Sequence, residues 1–169
     1  MVVGSNPTGP TKVRYPPFMK KSILSLLAAG VVFAQSNAAV DHYSAADLTA
    51  IREKLAASHP TFKSEPLKTY KGHYSMVAYR ESTGSSEVHE HEADIFVIEQ
   101  GEGTLLTGGK LVNPRVEKPG ELRGTSISGA EKVHYATGDV FHIPAGVPHQ
   151  MLVEKGKPVT YFVVKVTGQ

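Results

Sequence analysis

The sequence predicts an all-β protein, an antiparallel sandwich or barrel with one short helix ahead of it. Three observations carry that prediction. From about residue 65, short runs rich in Val, Ile, Tyr and Phe alternate with clusters of Gly, Pro, Ser and Asn, the marks of a chain that reverses direction often. Helical spacing of apolar residues is confined to one early stretch, Leu48, Ile51 and Leu55. A length of 169 residues suits one domain with a real core rather than two, and a hydrophobic content of 40% is that of an ordinary globular protein.

The first 39 residues stand apart. Met19-Lys20-Lys21, an apolar run from Ile23 to Ala34 and the small residues Ser36-Asn37-Ala38-Ala39 form the three regions of a secretory signal, with cleavage expected after Ala38 or Ala39. The apolar run is too short to span a bilayer comfortably. Residues 1–18 carry Pro7, Pro10, Pro16 and Pro17 and read as an over-called extension, with Met19 as the expected start. The expected organisation is therefore 1–18 extension, 19–39 signal peptide, 40–64 helix and linker, and 65–169 β domain. A periplasmic or secreted location follows as an expectation, with no membrane contact once the signal is cleaved.

Charge agrees with this division. The chain has 18 basic and 16 acidic residues, but Lys12, Arg14, Lys20 and Lys21 precede residue 40, where no acidic residue occurs. Removing those four leaves 14 basic against 16 acidic residues, a net of −2, which gives no support to a nucleic-acid partner. The absence of cysteine excludes disulfides, thiolate metal ligands and a cysteine nucleophile.

The elements follow in order. Ser44-Ala45-Ala46-Asp47 has the form of a capping box, and the helix it opens should end near Ser58, ahead of Pro60. This helix is expected to pack on the outside of the main body. Tyr70 to Arg80 reads as a strand, and Ser82 to Ser86 as a turn. Ile95 to Ile98 reads as a strand buried on both faces, Thr104 to Thr107 as a short strand, and Asn113 to Gly120 as a loop. Glu121 to Ile127, Lys132 to Tyr135 and Val159 to Val166 complete the β pieces. Gly138 to Gln150 reads as turn, strand, Pro-x-Gly turn and a new strand starting near His149.

Chemistry concentrates in Glu87-Val88-His89-Glu90-His91-Glu92-Ala93-Asp94. Side chains of a strand alternate, so His89 and His91 are expected on one face, with the Asp94 carboxylate just beyond. Two imidazoles and a carboxylate are most of a divalent-metal site, and His149 is available from the second segment.

These two segments resemble the cupin superfamily. Its second motif, G-x5-P-x-G-x2-H-x3-N, is met by Gly138, Pro144, Gly146 and His149, with Val153 in place of the final Asn. Its first motif, G-x5-H-x-H-x(3,4)-E-x6-G, is met more loosely by Gly84, His89, His91, Asp94 and Gly101. Gly84 comes one residue late, and Asp stands where Glu is usual. The pieces His89–Asp94, Gly120–Thr125 and Tyr161–Lys165 are also similar to those of small single-domain bacterial cupins. The resemblance implies an antiparallel jelly-roll β-barrel of six to eight strands and a metal held by His89, His91, Asp94 and His149. The metal would be Fe, Mn, Ni, Co or Zn, and the barrel would hold a small-molecule ligand or substrate. Family analogy adds the expectation of a homodimer.

Glu92 and Glu87 are rivals to Asp94 as the carboxylate ligand, and Glu87, two residues before His89, is the candidate general base. His142 is expected as a wall residue or partner, and Tyr161 and Phe162 as plain core; Lys165 shares a face with Tyr161 and Val163 and would be a cavity cation if that face points inward, but is expected as a solvated strand end. Glu121 and Arg123 are expected to form a surface ion pair worth little. For His73 and Tyr79 both wall and exposed positions stay open. Whether the chain is an enzyme or a non-catalytic periplasmic binding or sensing protein stays open as well, since this architecture hosts both.

Overall fold

A computed structural model describes residues 40–169. The expected extension and signal peptide lie outside the described residues. The first element is α1 (Ala45–Ala56), opened by the capping box that the sequence specifies: Asp47 N donates to Ser44 Oγ at 3.2 Å, and Ser44 N donates to Asp47 Oδ2 at 2.9 Å. The strands are β1 (Phe62–Thr69), β2 (His73–Arg80), β3 (Ser86–His89), β4 (Glu92–Gln100), β5 (Glu102–Thr107), β6 (Lys110–Val112) and β7 (Arg115–Lys118). They continue with β8 (Glu121–Gly124), β9 (Ser126–Ser128), β10 (Glu131–Ala136), β11 (Val140–Ile143), β12 (His149–Leu152) and β13 (Val159–Thr167).

These strands form two facing antiparallel sheets, β1-β2-β13-β4-β11 and β10-β5-β12-β3-β8-β7, beside a small β6-β9 pair. The architecture is the jelly roll that the sequence implies, with more and shorter strands than six to eight. The two sheets face each other without closing into one hydrogen-bonded cylinder.

Three boundaries differ from expectation. β1 occupies Phe62–Thr69, so it begins inside the expected 40–64 helix and linker; Pro66 is tolerated because β1 is an edge strand, and a register shift falls between Pro66 and Lys68. Tyr70 to Gly72 form the turn into β2, with Tyr70 N donating to His73 O at 2.8 Å. The expected loop at 113–120 contains β7, whose four residues are all exposed on the opposite sheet's edge.

Strand alternation sorts β2 between two cores. Val77 and Tyr79 point outward and pack with Leu55 of α1, so the helix covers the outer face as expected. Tyr74, Met76, Ala78 and Arg80 point inward and border the space between the sheets. Across the five-stranded sheet the register makes three inward rows: Tyr74–Lys165–Asp94, Met76–Val163–Phe96 and Ala78–Tyr161–Ile98. The rows run from charged to apolar. Leu105, Met151 and Tyr135 meet the apolar rows from the other sheet, closing a core in which each of these side chains is buried.

Two glycines are required by geometry. Gly101, with φ of 100°, turns β4 into β5, and a Cβ there would lie 2.5 Å from Pro158 O. Gly146, with φ of 78°, forms the Pro-x-Gly turn, and its N–H donates to His89 O at 2.8 Å. That bond ties the turn before β12 to the end of β3.

Candidate metal centre

The site is assembled from one face of each sheet. In β3, Glu87 and His89 share the inward face while Val88 takes the other. β12 pairs with β3 so that His149 lies opposite Glu87, and β8 pairs on the other side with Arg123 opposite Glu87 and Glu121 opposite His89. Register alone therefore brings five polar side chains together. The facing sheet contributes Asp94 from β4 and, directly opposite it, Lys165 from β13.

Hydrogen bonds set the two imidazoles. His89 Nδ1 lies 2.7 Å from Glu121 Oε1, and His149 Nδ1 lies 3.0 Å from Val147 O. Both partners are acceptors, so each Nδ1 carries the proton and each Nε2 turns toward the centre. His149 Nε2 is buried without a hydrogen-bond partner, 3.3 Å from Glu87 Oε1 and 3.5 Å from Asp94 Oδ2. His89 Nε2 lies 3.4 Å from Asp94 Oδ2. An imidazole lone pair facing two carboxylates calls for positive charge nearby: a proton on His149, a metal ion or a neighbouring ammonium.

Glu87, His89 and His149 each offer one ligand atom, and these lie within 4.8 Å of one another. Two neutral imidazoles with one or two carboxylates form a donor set suited to divalent transition metals. The residues fit a metal ion.

Lys165 brings a positive charge of its own to this centre. Its Nζ lies 2.6 Å from His89 Nε2, 2.6 Å from Asp94 Oδ1 and 2.8 Å from Asp94 Oδ2, aligned for a hydrogen bond with Oδ2. Burial by itself would raise the Asp94 pKa, but the His149 and His89 imidazoles beside it and the charge of Lys165 outweigh it and hold the carboxyl well below the usual aspartate range. Burial draws the Lys165 ammonium below its ordinary value, against the opposing pull of Asp94, Glu121 and Glu92.

Glu87 is held from its other side. Arg123 forms a close ion pair with it, and Arg80 approaches to 4.0 Å. Arg123 also pairs with Glu117 at 2.5 Å and with Glu121 at 3.5 Å. Arg80 is fixed in turn by donating from Nε to Tyr161 Oη at 2.8 Å and by lying over the Phe62 ring.

The cluster borders a cavity of about 470 Å³, a size ordinary for a small-molecule site. Glu87, His89, Asp94, Arg123 and Lys165 line its polar end, and Met76, Ala78, Phe96 and Val163 its apolar wall. His149 stands behind this lining, its ring edge-on to Phe96 at 6.2 Å between centroids.

Of the four expected ligands, His89, Asp94 and His149 converge, and Glu87 joins them. His91 does not. It occupies the bend between β3 and β4, exposed, with its carbonyl accepting from Gly168 N at 3.1 Å and Gln169 N at 3.2 Å. The alternation rule fails because Glu90 and His91 belong to no strand, so spacing of two no longer means one face. Three expectations are corrected with it. Glu121 and Arg123 are cavity residues rather than a surface pair, Lys165 points inward rather than to solvent, and His142 is exposed rather than part of the wall. Tyr161 is buried as expected and also anchors Arg80, while His73 is exposed and Tyr79 buried against α1. The signal for Lys165 was present: it shares strand parity with Tyr161 and Val163.

Comparison with solved structures places this architecture. An uncharacterised conserved protein with a double-stranded β-helix domain from Klebsiella pneumoniae superposes with a TM-score of 0.53 at 15% identity, covering 78% of this chain and 93% of that one. The TT1209 protein of Thermus thermophilus matches at 19% identity and a TM-score of 0.49, over 68% of this chain and 92% of that one. The Cnp3 cupin domain of Schizosaccharomyces pombe matches at 14% identity and 0.49, over 64% of this chain and 66% of the domain. No protein-family model matches the sequence, and no curated protein matches it. The shared fold is the double-stranded β-helix, the jelly roll that the sequence implies.

Proposed function

We propose that this protein is a cupin that holds a divalent transition metal ion through Glu87, His89, Asp94 and His149, and binds or transforms a small organic molecule in the adjoining cavity. One observation carries the reading: two imidazole Nε2 atoms and two carboxylates converge on a buried point beside that cavity. His91, exposed in its bend, is left out of the set.

When bound, such an ion supplies a Lewis acid with open positions for ligand oxygens, and the donor set suits Fe, Mn, Ni, Co or Zn. The chain's own residues do the rest. Glu121 fixes the orientation of His89, Val147 O that of His149, and Arg123 with Arg80 holds Glu87. Phe96, Tyr161 and Val163 give the ligand an apolar wall that limits water. The signal-like pattern of residues 19–39 supports a periplasmic or secreted setting.

One observation favours a second reading, a non-catalytic binding or sensing module. Glu87, the candidate base, already has its carboxylate engaged by Arg123, Arg80 and His149. Elemental analysis of the purified protein beside a His89→Ala/His149→Ala variant tests the metal itself. Stoichiometric metal in the wild type that is lost in the variant is expected. A wild type that holds no ion even after reconstitution would leave the cavity as a metal-free pocket.

A further inference from the structure

Resting on the metal reading, a further role follows for Lys165. Its ammonium touches His89 Nε2 and both oxygens of Asp94 within 2.8 Å, and its side chain is only 12% exposed. Those are the same lone pairs that an ion would take. An ion and an ammonium sharing them would also repel each other across a few ångströms of poorly screened interior.

We propose that Lys165 is a tethered competitor of the metal. Its ammonium fills the cation position in the ion-free protein, and it must leave His89 Nε2 and Asp94 before either can ligate. The side chain borders the open cavity, so there is space for it to withdraw. The arrangement has two physical consequences. Asp94, 1% exposed, is not left as an uncompensated buried charge before loading, so folding does not depend on the metal. The apparent affinity for the ion is also reduced by the cost of parting Lys165 from Asp94, because only the conformer with the amine withdrawn is competent. Lys165 is thus a positioning residue that sets how tightly the site holds its metal.

The test uses Co(II) alone as the probe, titrated into the full chain and into a Lys165→Met variant at one pH and followed by visible absorbance. The variant is expected to bind at least about tenfold more tightly, since no buried ion pair has to be broken. In the wild type, an amine-reactive label located by mass spectrometry is expected to reach Lys165 more readily once Co(II) is bound. Equal or weaker binding by the variant, or labelling of Lys165 that does not rise with Co(II), overturns the competition while leaving the metal site intact. If neither protein binds Co(II), the metal reading falls and the competition falls with it. Should the variant fail to fold, the wild-type labelling decides alone.

Discussion

The two ends of the space between the sheets are made by the same strands and have opposite chemistry. On β4, Asp94 faces the charged cluster, while Phe96 and Ile98 face the apolar core. On β13 the change runs from Lys165 through Val163 to Tyr161, and on β12 from His149 to Met151. A strand places successive inward side chains about 7 Å apart, so two residues suffice to pass from buried charge to hydrocarbon. The difference teaches what each end contributes. The apolar end stabilises the fold by removing surface from water. The charged end is weak evidence for stability, because desolvating its groups offsets most of what their attraction returns.

The largest expected effect separates these contributions at the charged end. Asp94→Ala leaves Lys165 buried beside His89 without its carboxylate and should cost about 3–5 kcal/mol in the metal-free protein. An Asp94→Leu/Lys165→Met double variant should recover most of that loss, because a buried pair replaced by apolar groups is close to neutral. Urea denaturation of the three proteins checks this, and a double variant no more stable than Asp94→Ala would mean the pair itself holds the sheets together. At the other end, Ile98→Ala should cost about 2–5 kcal/mol through lost burial and the cavity left behind, without changing metal content. A changed metal content would show that the two ends are not independent.

One buried group at each end gives a pH test: Asp94 in acid and Tyr135 in alkali. The folded-state pKa of Asp94 is depressed, so its stabilisation is present above the usual aspartate value of 3.8 and is lost as pH falls below it. Denaturation midpoints measured from pH 5 downward should drop less steeply in Asp94→Asn. Tyr135, in the apolar end, donates to Leu152 O at 3.0 Å, and burial pushes its phenol up to about 12. A raised pKa gives stability that is full below the usual tyrosine value of 10.0 and is lost as pH rises toward 12. The alkaline limb should therefore flatten in Tyr135→Phe. The smallest effect lies outside both ends: Ser44→Ala removes the cap of α1 and should cost about 1 kcal/mol, with no change in Co(II) binding.

The sequence by itself determined the β class, the capped helix and the turns, because each is a local property. Ser44 and Asp47 are three residues apart, and Gly146 and Gly101 mark places where the chain must turn. It also determined that His89, Asp94 and His149 would meet, through spacing that resembles a known family. Tertiary structure alone decided the rest. His91 left the site because two residues of bend broke the alternation that would have kept it there. Glu87, Glu121 and Arg123 entered because antiparallel register set β3 between β12 and β8, a pairing between segments more than 30 residues apart that no local pattern encodes. Lys165 reached the cation position because β13 lies antiparallel to β4 with Lys165 opposite Asp94. Strand parity says which residues share a face, but only the packing of sheet on sheet decides which face is buried and what it meets.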